Sequence, residues 1–348
     1  MISKWPARCT AGRVGDRGAA SGRDGSIPVM VRRVGSVLRP LVAILLTAFV
    51  LWKADPSAVV EAAARADLRW IGLAILLVVA DRALMAYRWI VLLAPIRRID
   101  RPPLGALMRI FFTSTFAGTF LPASVGGDAV RAYALARLRV APGVAVASVV
   151  MDRLLGVLSI VLVGIAGLLL AGSRDLWSTN AIFLSLLAAA AVCAGGAMVV
   201  FSARVSHVAQ ALAERLPFAR VRALAGDLVT ATRAYSGFRG ELANVLAGSI
   251  AVQVLRVIQA YFLGRALGID ASADVYFTFI PLILLVMLLP VTINGLGTSQ
   301  VAFVWFFSRI GVPQAEAFAL SVLFVALGIV GNLPGGFLYA FSPRSSPV

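Results

Sequence analysis

The chain has 348 residues, of which 60% are hydrophobic and 14% charged, and its mean hydropathy is +0.91. Soluble domains carry about a quarter charged residues, so no single soluble core hides this much apolar surface, and lipid must cover much of it. The formal net charge is +16, but the basic residues stand in short segments between apolar runs, as in loops beside an anionic leaflet, and no nucleic-acid-binding motif accompanies them.

The only cysteines are Cys9 and Cys193, which form no CxxC and no disulfide framework. His207 is the only histidine. Its isolation excludes a Ser-His-Asp triad within the membrane, an HExxH metal site and most histidine proton relays. The expectation is no metal, no cofactor and no catalytic residue. A nucleotide-binding motif is also lacking, which argues against ATP-driven transport by this chain.

Residues 1–35 form a basic tail, rich in Gly, Arg and Ser over 1–29, and read as disordered. Met30 followed by Val31-Arg32-Arg33 resembles a natural start, so 1–29 read as an over-long gene model. The first apolar run, about 36–52, reads as an uncleaved span and not a signal peptide, because it is long and no convincing A-x-A site follows. The next run, 70–94, is interrupted by Asp81-Arg82 and Arg88. Then come 104–122, 143–171, 180–201, 242–264, 275–292, 297–310 and 316–341. At about 20 apolar residues per crossing, the secure spans are 143–171, 180–201, 242–264 and 316–341. Residues 202–241 are the one sizeable polar segment, read either as amphipathic helices on the inner leaflet or as an ordinary loop. A short tail, 342–348, ends the chain.

Segments 104–122 and 275–292 each end in Leu-Pro before a Gly-rich break and a second, shorter leg (129–140 and 297–310). Both read as re-entrant hairpins, since broken backbone at membrane depth is tolerated only inside protein or along a wet cavity. Most of the 32 Lys and Arg then fall on one side, which places both termini in the cytoplasm. The expected fold is an all-α polytopic membrane protein with about six full spans and two broken-helix hairpins in an inverted repeat. Its transmembrane domain runs over 36–341.

The breaks share a pattern: Leu121-Pro122, then Gly126-Gly127-Asp128; Leu289-Pro290, then Asn294-Gly295 and Gly297. Proline stops each helix, and Gly and Asn take the turn angles. A helix starting near Gly127 would aim free N–H groups at the break, and an anion held there by the Gly126 and Gly127 amides with Arg131 is one reading. The other is a structural kink in a tight bundle. Asp128 would either cap the helix or repel the anion. Charges inside spans are costly and are functional candidates: Asp81, Arg82, Asp152, Arg153 and Arg256. Gln253 and Gln259 flank Arg256 at helical spacing, and Asn294, Gln300 and Asn332 add polar groups. Neighbours at i,i+1 do not face each other on a helix, so Asp81 and Arg82 need partners on other helices. These charges are either structural ion pairs or a polar track for a headgroup. Arg88 and Arg109 read as snorkelling to the interface.

The run Phe116-Ala117-Gly118-Thr119-Phe120-Leu121-Pro122-Ala123-Ser124-Val125-Gly126-Gly127-Asp128-Ala129-Val130-Arg131 closely resembles the signature of the flippase-like membrane family, that of the lysylphosphatidylglycerol synthase transmembrane region. Arg88-Trp89, Asp152-Arg153 and Leu289-Pro290 through Gly295-Leu296-Gly297 fall where that family has similar features, and the resemblance covers about 36–340. Two positions depart from it: Asp152-Arg153 stands where the family commonly has Glu-Arg, and Gln300 where it often has Glu, which puts a coupling role for that carboxylate in doubt. In bifunctional members a soluble C-terminal domain transfers an aminoacyl group to phosphatidylglycerol; with Val348 as the last residue, the expectation is the membrane half alone.

The resemblance implies translocation of an anionic phospholipid or a lipid-linked saccharide between leaflets of a bacterial inner membrane. The substrate-binding candidates are then Pro122, Gly126, Gly127, Asp128, Arg131, Asp152, Arg153, Arg256, Asn294, Gly295, Gly297 and Gln300, with Asp81 and Arg82 as buried polar candidates. Two other classes fit. One is a non-catalytic partner subunit of a cell-envelope lipid or glycan enzyme, which would co-purify with a stoichiometric partner. The other is a membrane-embedded lipid transferase, which would need Asp128 and Asp152 to converge as acid and base. A homo-oligomer or an envelope-enzyme partner fits the chain.

Overall fold

The computed structural model describes residues 57, 60–61, 64–96, 101–120, 126–138, 140–171, 180–215, 219–288 and 297–340. The tails, the apolar run at 36–52 and the Leu-Pro and Gly-rich stretches at 121–125 and 289–296 lie outside the described residues. Every regular element among the described residues is helical. The helices are α1 (Leu68–Val91), α2 (Leu104–Phe120), α3 (Gly126–Arg137), α4 (Pro142–Ala171), α5 (Asn180–Phe201), α6 (Ala203–Glu214), α7 (Ala219–Ala234), α8 (Arg239–Ala266), α9 (Ala273–Leu288), α10 (Thr298–Ser308) and α11 (Gln314–Ala340).

Four are long and apolar enough to cross a membrane: Leu68–Val91, Pro142–Leu170, Arg239–Ala266 and Gln314–Tyr339. The first qualifies despite Asp81, Arg82 and Arg88 by its length and mean hydropathy, and Asp81 and Arg88 are buried in the protein. Its outer face is lipid-like, with Leu73, Ile75, Leu76 and Val79 all exposed. The helix α5 has 22 residues and fills the 180–201 run.

The two broken segments have matching proportions. Helices α2 and α3 have 17 and 12 residues, and α9 and α10 have 16 and 11. At 1.5 Å per residue the second legs are about 18 Å and 17 Å long, well short of a bilayer core of about 30 Å.

Helix α1 lies antiparallel against α8, its most extensive partner. The Asp67 N–H at the start of α1 donates to the Ala266 carbonyl at the end of α8 (2.9 Å). The packing obeys a simple exchange: swapping α1 with α8, α2 with α9, α3 with α10 and α4 with α11 turns each helix contact among these eight into another that is also present. The leg α9 packs on α4 and the leg α2 on α11. Both interfaces use a glycine at backbone contact. A side chain at Gly167 would strike the Phe277 carbonyl, and one at Gly335 the Phe112 carbonyl. Thr278 Oγ1 donates to the Gly167 carbonyl across the first of these seams (3.0 Å). Small residues let membrane helices approach this closely and gain dispersion contact where lipid offers no hydrophobic drive.

Two of the three apolar clusters among the described residues pack the legs of the broken segments. One gathers Tyr276, Phe279, Phe303 and Phe307 between α9 and α10, with α8 and α11. The other packs Trp89, Phe111 and Leu135 from α1, α2 and α3.

The described residues of the polar segment 202–241 lie mostly in α6, α7 and the start of α8. Helix α7 packs on α4, α5 and α6, while Val208 and Leu212 on α6 and Leu224 on α7 stay exposed. Tyr235 after α7 is buried, and its hydroxyl donates to the Leu92 carbonyl at the end of α1 (2.7 Å). Burial pushes this phenol's pKa up, and Asp152 adds to the effect, so it remains a protonated donor. Tyr235→Phe leaves the carbonyl without that donor and is expected to cost about 1 kcal/mol, read as a fall of a few degrees in the apparent melting temperature of the detergent-solubilised protein.

Candidate functional site

The polar centre grows from one face of α1. Asp81, Met85 and Arg88 stand at i, i+4 and i+7, so their side chains share one stripe. Seven residues at 1.5 Å separate the two charges by about 10 Å along the axis.

At Arg88 the stripe meets α4 and α3. Arg88 is buried and does not snorkel: its Nη2 donates to Asp152 Oδ1 at 2.8 Å. Asp152 Oδ2 lies 3.5 Å from Arg131 Nη1, so one carboxylate is shared by guanidiniums from two elements. Arg131 is only 5% exposed. Its Nε donates to Ser114 Oγ (3.3 Å) and its Nη2 to Thr115 Oγ1 (3.4 Å). Its guanidinium lies over the Phe111 ring at 4.7 Å and the Trp89 ring at 5.4 Å, a favourable cation–π arrangement in a desolvated site. Beside them, Arg153 Nε donates to Asp128 Oδ2 (2.5 Å).

Arg131 therefore does not stand free at the start of α3. It turns back onto α2, and an anion would have to displace Asp152 from it. Asp128 is committed to Arg153. Gly127 serves helix approach, since a Cβ there would meet the Ser114 carbonyl at 2.7 Å and the Gly118 Cα at 3.0 Å.

At Asp81 the stripe meets α8. Arg256 Nε donates to Asp81 Oδ1 (3.2 Å), and Arg82 Nη1 lies 3.5 Å from Asp81 Oδ2. Each residue of the Asp81-Arg82 pair thus finds a partner on another helix, as Arg82 Nη2 donates to the Gly328 carbonyl of α11 (3.2 Å). The long Arg82 side chain also reaches its own neighbour, which spacing alone does not suggest. Met85 Sδ, between the two layers, accepts from both Arg82 (3.3 Å) and Arg256 (3.2 Å).

These layers border one cavity of about 320 Å³, lined by Asp81, Arg82, Arg88, Asp128, Arg131, Asp152, Arg153 and Arg256 together with Gly127 and apolar residues of α9 and α11. Five arginines face three aspartates there, a formal charge of +2. Gly126, Gly297 and Gln300 do not border it. Gln300 Oε1 accepts from the Gly297 N–H (2.6 Å) and from Ser299 Oγ (3.0 Å). It fixes the start of α10, where Gly297 takes φ +85°, a conformation glycine adopts without strain. Pro122, Asn294 and Gly295 lie outside the described residues.

A match to the family model described as the lysylphosphatidylglycerol synthase TM region spans residues 36–335. The chain belongs to that family. No curated protein matches the sequence. As a lysylphosphatidylglycerol synthase TM region, the chain is an integral membrane protein of a lipid-associated family, and its charged cavity lies inside the matched region. The cavity also draws in residues that sequence reasoning set aside. Arg88 was legible in its seven-residue spacing from Asp81. Gln253, Gln259 and Asn332 border the cavity as well, and Thr115 and Thr119 of α2 had no sequence signal beyond lying beside the Gly-rich break.

Proposed function

We infer that the protein carries the headgroup of an anionic phospholipid or a lipid-linked saccharide between the two leaflets, as a transporter and not an enzyme. The observation that supports this reading most is the cavity with five arginines and three aspartates among apolar spans. Charge at this depth is costly, and a purely structural network would be expected to balance. An excess of +2 favours an anionic occupant. Asp152, held by Arg88 and Arg131 from different elements, has the form of an exchangeable counter-ion: an incoming phosphate offers both guanidiniums equivalent charge-assisted bonds.

The positive-inside pattern puts the Arg88 end of α1 toward the cytoplasm, in a bacterial inner membrane with both termini inside. The Arg88–Asp152 layer then lies near the inner interface and the Asp81–Arg256 layer about 10 Å deeper, near the midplane. The symmetric exchange of helix contacts, with α1 antiparallel to α8, supports an inverted repeat whose hairpins α2–α3 and α9–α10 are re-entrant. That architecture places a substrate at the interface of the two halves.

The test is reconstitution in liposomes carrying acyl-labelled anionic or zwitterionic lipid, with an external quencher. Faster loss of the protected anionic fraction with wild type, and a loss of that acceleration of at least tenfold in a folded Arg131→Ala variant, is the expected result. Wild-type rates in folded Arg131→Ala would remove the phosphate from this layer.

A further inference from the structure

We propose that the cavity holds a second, uncharged subsite, formed by Gln253, Gln259 and Asn332, that reads hydroxyl groups on the head of a phosphate ester. The proposal rests on the translocation reading for its substrate but stands on different atoms.

Five buried polar atoms that border the cavity have no hydrogen-bond partner among the described residues: Arg82 Nε, Arg88 Nε, Gln259 Nε2, Gln253 Oε1 and Asn332 Oδ1. Gln253 and Gln259 are only 3% and 4% exposed. A buried polar atom left without a partner is costly, so an occupant must supply what is missing. Arg82 Nε and Arg88 Nε call for acceptors that a phosphate provides, and Gln259 Nε2 for one that a hydroxyl provides. The two carbonyl oxygens call for donors, which an ionised phosphodiester lacks.

Neighbouring hydroxyls fix the orientation of two of these amides. Thr119 Oγ1 gives its proton to the Thr115 carbonyl and so accepts from Asn332 Nδ2 at 2.8 Å, which leaves Asn332 Oδ1 over. Ser159 Oγ gives its proton to the Gly156 carbonyl and accepts from Gln253 Nε2 at 3.4 Å, which leaves Gln253 Oε1 over.

A quaternary ammonium head has no donor to give. A primary ammonium could donate, but it could not accept from Gln259 Nε2 and would add charge to a cavity that is already +2. A hydroxyl both donates and accepts. Arg256 stands between Gln253 and Gln259 on α8, one turn from each, so a phosphate on the arginines would place an attached polyol beside the amides. The shared chemistry is a hydroxylated phosphate ester, either a glycerophospholipid with a polyol head or an isoprenoid phosphosugar.

The test is binding, measured by calorimetry on the purified full chain in detergent. Short-chain phosphatidylglycerol is compared with phosphatidylmethanol, which has the same charge and no hydroxyl. Citronellyl phosphoglucose is compared with citronellyl methyl phosphate, a diester of the same single charge with no hydroxyl. Wild type is expected to prefer the hydroxylated member of at least one pair by about tenfold, and the pair that shows it names the source. The double variant Gln253→Leu, Gln259→Leu should bring that preference within about twofold while leaving the affinity for the bare phosphate ester unchanged, which also reports that the variant is folded. Equal affinities in both pairs, no binding of any probe, or a preference that survives the double variant would overturn the subsite. A preference without liposome transport keeps the subsite and removes the carrier reading; transport without a preference does the reverse.

Discussion

Asp152→Ala is expected to destabilise the protein by about 3–5 kcal/mol, because it strands two buried guanidiniums at once. Arg88 and Arg131 both use this carboxylate, at 2.8 Å and 3.5 Å, and Arg88 is almost fully buried. Thermal unfolding in detergent should show the apparent melting temperature falling by about 10 °C or more. Asp152→Asn keeps an acceptor and should lose about half as much. Removing one cation as well, in Arg88→Leu with Asp152→Ala, should recover part of the loss, since a charge left alone costs more than a pair replaced by apolar groups. Additive losses in that cycle would mean the pair is not coupled.

The second large effect is steric. Gly335→Val places a branched side chain where a Cβ already meets the Phe112 backbone and the Phe116 side chain at 2.8 Å. Neither backbone can yield without parting α11 from α2. Gly167→Val should act alike on the seam between α4 and α9, where Phe277 and Thr278 present backbone to the glycine. Each is expected to cost about 3 kcal/mol or more, at the upper end of overpacking penalties. Gly105→Ala and Gly195→Ala, which meet nothing within 4 Å, should be neutral or slightly stabilising. Melting curves of the four variants check this directly. Equal stability of all four would show that the helices do not approach as closely as described.

Helix boundaries were legible because hydropathy and Leu-Pro stops act locally. The described parts of α2 and α9 reach Phe120 and Leu288, inside the runs read from hydropathy, and α10 begins at Thr298 after an N-cap at Gly297, where the second Gly-rich break put it. The charged residues inside the spans were also legible as candidates. Their pairing was not. Arg88 and Asp152 are 64 positions apart, and nothing in either local sequence says that α4 carries its aspartate to α1. Arg88 sits near a helix end, so interfacial snorkelling was the natural expectation; its burial comes with α4 and α8 closing on it, through Asp152, Gly156 and Gly248, which is a tertiary effect. Arg131 was marked as an anion-binding candidate, but only the fold shows Ser114, Thr115, Phe111 and Trp89 taking up its donors and its ring-facing surface. Gln300 shows the converse: a polar residue in an apolar segment whose bonds to Gly297 and Ser299 complete a helix start away from the cavity.

The central claim is passage of a headgroup through the cavity, and Gly156 offers the most direct test of it. Gly156 borders the cavity, and a Cβ there has only Arg88 Nη2 nearby, at 3.8 Å. Gly156→Phe would therefore add bulk at the cavity without removing any charged side chain. Gly195→Phe is the control, since Gly195 is exposed and outside the cavity. In the reconstituted quenching assay, folded Gly156→Phe is expected to leave the protected anionic lipid fraction as in protein-free liposomes, with Gly195→Phe indistinguishable from wild type. Wild-type translocation by folded Gly156→Phe would contradict the account, because the headgroup would then be crossing by another route.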